Sequence, residues 1–223
     1  MVPVSDSSPY PTLAPLDIGD VTRFFGRARK VQKLRQLLEE KKVVTIVGPC
    51  GAGKTSLLRA GLCAGLVAEF GDGLAVFEVA HPGLGAFAAL EKQGLWAPAD
   101  DLTLAVRSVA ASGKRVVLLF DHLEELLFAE TYDRENVVAQ LATVAQAIRE
   151  GLPAQLVLAV VPDALSSLAV VAKGLWPLFE VQTLWLSPLL DVGEWMEAGF
   201  SPKTFIACGT ARHWKNRFRV CSC

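Results

Sequence analysis

A glycine-rich segment that directly follows a β-branched run constrains this chain more than any other feature. Residues 48–55 read Gly-Pro-Cys-Gly-Ala-Gly-Lys-Thr, and residues 43–47 read Val-Val-Thr-Ile-Val. The first segment satisfies the pattern G-x-x-x-x-G-K-[ST], and the second is typical of a short buried strand. Glycines let successive backbone N–H groups curve around an anion without interference from a Cβ atom. The sequence therefore predicts a strand, a phosphate-binding loop (residues 48–55) and a helix in succession.

Each position of the phosphate-binding loop has an expected role. The backbone that should surround the phosphates belongs to Gly48, Pro49, Cys50, Gly51, Ala52 and Gly53. Lys54 should reach the β- and γ-phosphates, and the Thr55 hydroxyl should ligate Mg²⁺. Ser56 should add a contact near the α-phosphate, where the start of the following helix contributes partial positive charge. The predicted ligands are a nucleotide and Mg²⁺.

A second apolar run ends in an acidic residue. Residues 115–120 read Arg-Val-Val-Leu-Leu-Phe and are followed by Asp121. A strand of this kind delivers one carboxylate beside the phosphate-binding loop, where it holds Mg²⁺ through water. Hydrolysis needs a further carboxylate to orient the attacking water, and Glu124 and Glu125 are the candidates. The alternative is that these two residues begin a solvated helix, since acidic residues favour the first turn.

Strand-like and helix-like segments alternate along the chain. The predicted strands are residues 43–47, 74–80, 115–120, 155–161 and 181–186. The predicted helices are residues 28–40, 54–68, 84–92, 100–112 and 133–150. This alternation predicts an α/β fold with a parallel sheet.

Composition narrows the classes of protein that fit. Hydrophobic residues make up 52% of the chain, which suits a sheet buried on both faces. No apolar run is long enough to span a membrane, and the N-terminal residues do not resemble a signal peptide, so we expect a cytoplasmic location. The net charge of −1 provides no overall excess of positive charge of the kind that favours nucleic-acid binding.

Several segments together resemble one family. Residues 8–13, residues 23–27 (Arg-Phe-Phe-Gly-Arg) and residues 47–62 occur in the order found in bacterial STAND NTPases, which are often fused to WD-type or other repeats. Residues 121–126 (Asp-His-Leu-Glu-Glu-Leu) resemble the family's Walker B segment and its NACHT-like form. The resemblance covers roughly residues 8–197.

The resemblance implies a fold, a ligand and a mode of action. The fold is the three-layer P-loop NTPase fold of the ASCE type, with a mostly parallel five-stranded sheet. In that sheet the fourth strand separates the Walker B strand from the P-loop strand. The implied ligand is ATP, with the turn of Phe25, Gly26 and Arg27 near the adenine, and the implied action is a switch that assembles after nucleotide exchange. The resemblance also favours Glu124 or Glu125 as the hydrolytic carboxylate.

The sequence departs from the family at the end of the predicted fourth strand. The family usually has an arginine there that senses the γ-phosphate, whereas Val161 and Pro162 occupy the position here. This favours a switch with impaired hydrolysis over an active AAA+-like ATPase, which would need a sensor arginine and an arginine finger. A further alternative is an interaction scaffold that retains the phosphate-binding loop only as a vestige. A kinase or a GTPase is disfavoured, because neither an arginine-rich lid nor an N-K-x-D segment is apparent.

We expect three parts along the chain: an irregular leader (1–22), a P-loop NTPase domain (23–197) and a tail (198–223). The tail contains basic residues but no acidic ones and matches nothing in the family, so it is either a truncation or frameshift product or an ordinary variable tail. A complete helical subdomain does not fit in this length. We therefore expect an exposed apolar surface at which the chain self-associates or meets a partner protein.

Overall fold

The computed structural model describes residues 15–95, 101–181 and 183–188. Most of the predicted leader, residues 1–14, and the whole predicted tail, residues 198–223, lie outside these ranges. Where the leader enters the described part, a 3₁₀ helix forms over Ile18–Arg23, in place of irregular chain. The Asp17 side chain caps it by accepting a hydrogen bond from the backbone N–H of Ile18 at 2.8 Å.

Five strands form one parallel sheet. They are β1 (Val43–Val47), β2 (Leu74–Val79), β3 (Arg115–Phe120), β4 (Ala154–Val160) and β5 (Thr183–Trp185), arranged in the order β2-β3-β4-β1-β5. Every pairing between neighbours is parallel. The predicted α/β fold is confirmed, and β4 separates β1, which precedes the phosphate-binding loop, from β3, which precedes Asp121.

Helices connect the strands and cover both faces of the sheet. They are α1 (Ala28–Lys41), α2 (Lys54–Ser56), α3 (Ala64–Phe70), α4 (Ala86–Lys92), α5 (Leu102–Ala111), α6 (Thr131–Arg149), α7 (Leu165–Val171) and α8 (Trp176–Val181). A π-helical stretch, Leu57–Cys63, joins α2 to α3, so the predicted helix after the phosphate-binding loop is interrupted by wider turns. The sequence reading missed α7 and α8, because helices this short show too little apolar periodicity.

Two apolar layers lie on opposite faces of the sheet. Successive β1 residues point to opposite sides, so Val43 and Val47 belong to one layer and Val44 and Ile46 to the other. Burial on both faces explains why β1, β3 and β4 are nearly continuous apolar runs. The carboxyl ends of these three strands meet at one edge of the sheet, and this edge carries the predicted site residues. No helix in the described ranges is long and apolar enough to cross a membrane.

Candidate nucleotide-binding site

The phosphate-binding loop connects the end of β1 to the start of α2. Gly51 and Gly53 have φ angles of 73° and 84°, a left-handed conformation that favours glycine. A hydrogen bond of 3.1 Å from the backbone N–H of Ala52 to the carbonyl of Pro49 closes the turn. The loop therefore directs backbone N–H groups and the N-terminal end of a helix to the same place, as an anion site requires.

The Lys54 side chain folds back across the phosphate-binding loop. Its ammonium group donates hydrogen bonds to the carbonyl oxygens of Gly48 at 2.8 Å and Pro49 at 3.3 Å. Only 6% of Lys54 is exposed, so its positive charge is concentrated at the loop rather than in solvent. A buried ammonium group that is hydrogen-bonded to backbone carbonyls would gain from a bound anion.

Thr55 and Asp121 meet beside the loop. The Thr55 hydroxyl donates a hydrogen bond to Oδ2 of Asp121 at 2.5 Å. Asp121 is fully buried, and its other carboxylate oxygen, Oδ1, accepts the backbone N–H of His122 at 2.9 Å. The backbone N–H of Asp121 is itself tied to the carbonyl of Val79 at 2.9 Å. A hydroxyl and a carboxylate held together at the phosphate-binding loop are oxygen donors of the kind that suit Mg²⁺, so these residues fit the ion.

Glu124 bridges the Walker B segment to the end of β4. Its Oε2 accepts the backbone N–H of Val161 at 3.2 Å, and its Oε1 lies 3.4 Å from Nδ1 of His122. Burial alone would raise the pKa of Glu124, but the bond with His122, the backbone N–H groups and the charge of Lys54 together lower it. The same bond raises the pKa of His122. Glu124 is therefore an ionised carboxylate that is fixed by hydrogen bonds and interacts electrostatically with Lys54.

Glu125 has different neighbours. Its Oε1 lies 2.8 Å from Nδ1 of His81, which follows β2, and its Oε2 is buried without a hydrogen-bond partner among the described residues. The rings of His81 and His122 stack with their centroids 5.6 Å apart. The two adjacent glutamates therefore point to two different strand ends, Glu124 to β4 and Glu125 to β2.

The turn of Phe25, Gly26 and Arg27 lies on the other side of the phosphate-binding loop. Arg27 is only 4% exposed and donates to the carbonyl oxygen of Ala52 at 3.0 Å. Phe25 and Gly26 line an open groove of about 880 Å³ that runs along α1. The Ser56 hydroxyl accepts the backbone N–H of Leu16 at 3.0 Å, and its expected contact near the α-phosphate stays a prediction. The predicted contact of the turn with adenine stays a prediction.

Sequence reasoning overlooked two participants at this edge, His81 and Ser187. His81 follows β2 as Glu125 follows β3, and these strands are parallel neighbours, so the pairing could have been inferred once the strand order was known. Ser187 contacts Arg27 through its carbonyl oxygen at 2.6 Å, and no sequence pattern marks a backbone acceptor of this kind.

The sheet order, the phosphate-binding loop and Asp121 at the end of β3 define a P-loop NTPase domain. Residues 9–202 match the family described as Novel STAND NTPase 1. The match spans most of the chain, and the chain belongs to this family.

Solved structures share the fold at low sequence identity. The Walker-type ATPase PABY2304 of Pyrococcus abyssi is 15% identical with a TM-score of 0.51, and the match covers 75% of this chain and 55% of that one. The ORC2 protein of Aeropyrum pernix, in its ADPNP–ADP complexes, is 20% identical with a TM-score of 0.53, covering 72% of this chain and 48% of that one. The chain thus spans about half the length of these proteins. No curated protein matches the sequence significantly.

Proposed function

We propose that this domain binds ATP together with Mg²⁺ and serves as a nucleotide-dependent switch. The convergence of Lys54, Thr55 and Asp121 on the phosphate-binding loop carries the proposal. The Thr55 hydroxyl and the Asp121 carboxylate are hydrogen-bonded at 2.5 Å, so the expected Mg²⁺ ligand and the carboxylate expected to hold the ion through water are already adjacent. The backbone N–H groups of residues 48–53 would hold the phosphates, and Lys54 would leave its loop carbonyls to neutralise them.

We further propose that Glu124, rather than Glu125, orients the attacking water. The backbone N–H of Val161 holds Glu124 toward the end of β4, and the charge of Lys54 is one of the causes that lower the pKa of Glu124. Glu125 is bound to His81 and supports the turn from the opposite side. Val161 offers only a backbone N–H where an arginine would stabilise the γ-phosphate charge. We therefore expect slow hydrolysis, so that the bound nucleotide persists and acts as a signal.

Membership of the STAND family supports the wider setting that we propose. The domain would act in the cytoplasm of a bacterium, as part of a signalling protein whose other parts sense an input and trigger an effector. Self-association or a partner protein would engage the surface where a helical subdomain docks. An active AAA+-like ATPase and a vestigial scaffold are the competing functions, and turnover measurements separate them from the switch.

Single-turnover hydrolysis of radiolabelled ATP in Glu124→Gln, with Glu125→Gln as the matched control, tests this proposal. Loss of a positioned general base typically costs about 10²–10⁴-fold in rate. We expect Glu124→Gln to bind ATP normally and to lose turnover by about that factor, while Glu125→Gln stays within a few-fold of wild type. The reverse order would overturn the assignment. Fast turnover that rises with protein concentration would favour the AAA+-like ATPase, and absent binding would favour the scaffold.

A further inference from the structure

Arg27 joins two parts of the chain that are far apart in sequence. It is the N-cap of α1, and its backbone carbonyl accepts the N–H of Val31 at 2.9 Å, so a helix fixes its position. One nitrogen of its guanidinium group, Nη2, donates both to the carbonyl of Ala52 at 3.0 Å and to the carbonyl of Ser187 at 2.6 Å. A single buried atom therefore connects the phosphate-binding loop to the chain that leaves β5.

The segment that leaves β5, residues 185–187, contacts the same region at three further points. The backbone N–H of Leu186 donates to the carbonyl of Val47 at 2.7 Å, and Nζ of Lys30 donates to the carbonyl of Trp185 at 3.1 Å. At the first position of the loop, a Cβ atom on Gly48 would lie 2.6 Å from the carbonyl oxygen of Leu186. The exit segment (residues 185–187) is thus in van der Waals contact with the beginning of the phosphate-binding loop.

This geometry makes the two segments mechanically dependent. Because both carbonyls bond to one nitrogen, a displacement of Ala52 relative to Ser187 must change the length or the angle of at least one of the two bonds. Arg27 and Ala52 are both buried, so the Ala52 carbonyl is not readily satisfied by solvent if it loses this donor, whereas Ser187 is exposed. Phosphate binding depends on the orientation of the loop's peptide groups, and the peptide that contains the Ala52 carbonyl is one of them.

We propose that Arg27 is a positioning residue that couples occupancy of the phosphate-binding loop to the exit segment. This inference rests on the proposed nucleotide binding and adds the route by which the bound nucleotide is reported to the chain beyond residue 188. Coupling between two sites is reciprocal, so holding the exit segment in place also raises the affinity for nucleotide by the same factor. Couplings of this kind usually amount to about 5–150-fold.

Hydrogen–deuterium exchange of the peptide that covers residues 183–188, with and without Mg·ATP, tests the coupling. In the wild type we expect Mg·ATP to slow exchange of the Leu186 amide by a factor within about 5–150. Arg27→Ala should bind ATP about 5–150-fold more weakly, measured by competition with a fluorescent analogue, and at saturating Mg·ATP its exchange at residues 183–188 should no longer respond. Lys30→Ala is the matched control, because it removes a bond to the exit segment without touching the phosphate-binding loop, and its response should persist.

The outcomes separate this inference from the proposed function. ATP binding with no change in exchange at residues 183–188 in the wild type, or an undiminished response in Arg27→Ala, would overturn the coupling and leave nucleotide binding intact. Wild-type binding no tighter than that of Lys54→Ala would overturn the proposed function itself. Should Arg27→Ala fail to fold, Arg27→Lys decides, since it keeps the buried charge but not the guanidinium geometry. A reduced response in Arg27→Lys supports the coupling, and a full wild-type response overturns it.

Discussion

Two cysteines in the described ranges, one in the phosphate-binding loop and one after it, occupy opposite environments. Cys50 is exposed within the phosphate-binding loop, and Cys63 is buried on the π-helical stretch that follows α2. Burial, together with the carboxylate of Glu78, raises the pKa of the Cys63 thiol to about 12. Because the thiolate is the reactive form, Cys63 should be inert while the domain is folded.

Thiol alkylation at pH 8, followed by peptide mass spectrometry, should therefore discriminate between these residues. We expect rapid labelling of Cys50 and labelling of Cys63 only in denaturant. If phosphates occupy the loop, Mg·ATP at about 100 times its Kd should slow Cys50 labelling by up to about 100-fold, since only the free protein reacts. Adenine, which carries no phosphate, serves as the control and should give no protection. Equal labelling of Cys50 with and without Mg·ATP would place the nucleotide elsewhere.

The site residues differ in how far their roles can be predicted from the sequence. The roles expected of Lys54, Thr55 and Asp121 stay predictions, and they depend on residue types and spacings that the sequence displays directly. The structure places Lys54 against the loop carbonyls and Thr55 against Asp121. Glu124 and Glu125 could not be told apart in the sequence, because adjacent acids are chemically equivalent until their neighbours are known. The bonds to Val161 and His81 distinguish them, and both bonds depend on which strands are adjacent.

At the scale of elements, two short turns pack closely at the edge that holds the acidic residues. The 3₁₀ turn Pro82–Leu84 follows β2, and the 3₁₀ turn Leu123–Leu127 follows β3. A Cβ atom on Gly83 would lie 2.7 Å from the carbonyl oxygen of Glu125 and 2.9 Å from its Cβ. The backbone of one turn therefore rests directly on the other, and glycine is required by this approach.

Gly83→Ala should push the turn that carries Glu124 and Glu125 away from β2. Overpacking of this kind typically costs about 1–3 kcal/mol, which urea unfolding followed by circular dichroism measures readily. Gly73→Ala is the control, because Gly73 is exposed and an added Cβ would meet nothing within 4 Å. We expect the control to stay within about 0.5 kcal/mol of wild type. A Gly83→Ala protein as stable as the control would show that the contact between the turns is not tight in solution.

Elements differ in how well the sequence predicts them, and the difference has a physical cause. The strands β1 and β3 have the predicted bounds, because strands buried on both faces are nearly continuous apolar runs, and here a glycine and an aspartate follow them. The π-helical stretch Leu57–Cys63 could not be predicted from the sequence, since its apolar residues are compatible with an ordinary α-helix. Its wider turns accompany close packing at Gly61, where a Cβ would lie 2.8 Å from Val31.

For the whole molecule, the strand order is the property that local sequence determines least. Parallel pairing of β1 with β4, across more than a hundred residues, depends on how all the helices pack, and only the family resemblance indicated it.

The predicted docking surface stays a prediction. Large apolar side chains are exposed at Leu84, Phe128 and Tyr132, which follow β2 and β3, and these positions are where a partner would be sought first.

The central claim is that residues 48–55 form a working nucleotide site within this domain. Titration of the purified protein with a fluorescent ATP analogue and Mg²⁺, in parallel with Lys54→Ala, tests it most directly. Loss of the charged group that meets the phosphates should weaken binding by about 2–5 kcal/mol, or at least about 30-fold. The account predicts saturable binding by the wild type that Lys54→Ala loses while keeping the wild-type circular dichroism spectrum. Equal affinity in both folded proteins, or no binding by a folded wild type, would contradict it.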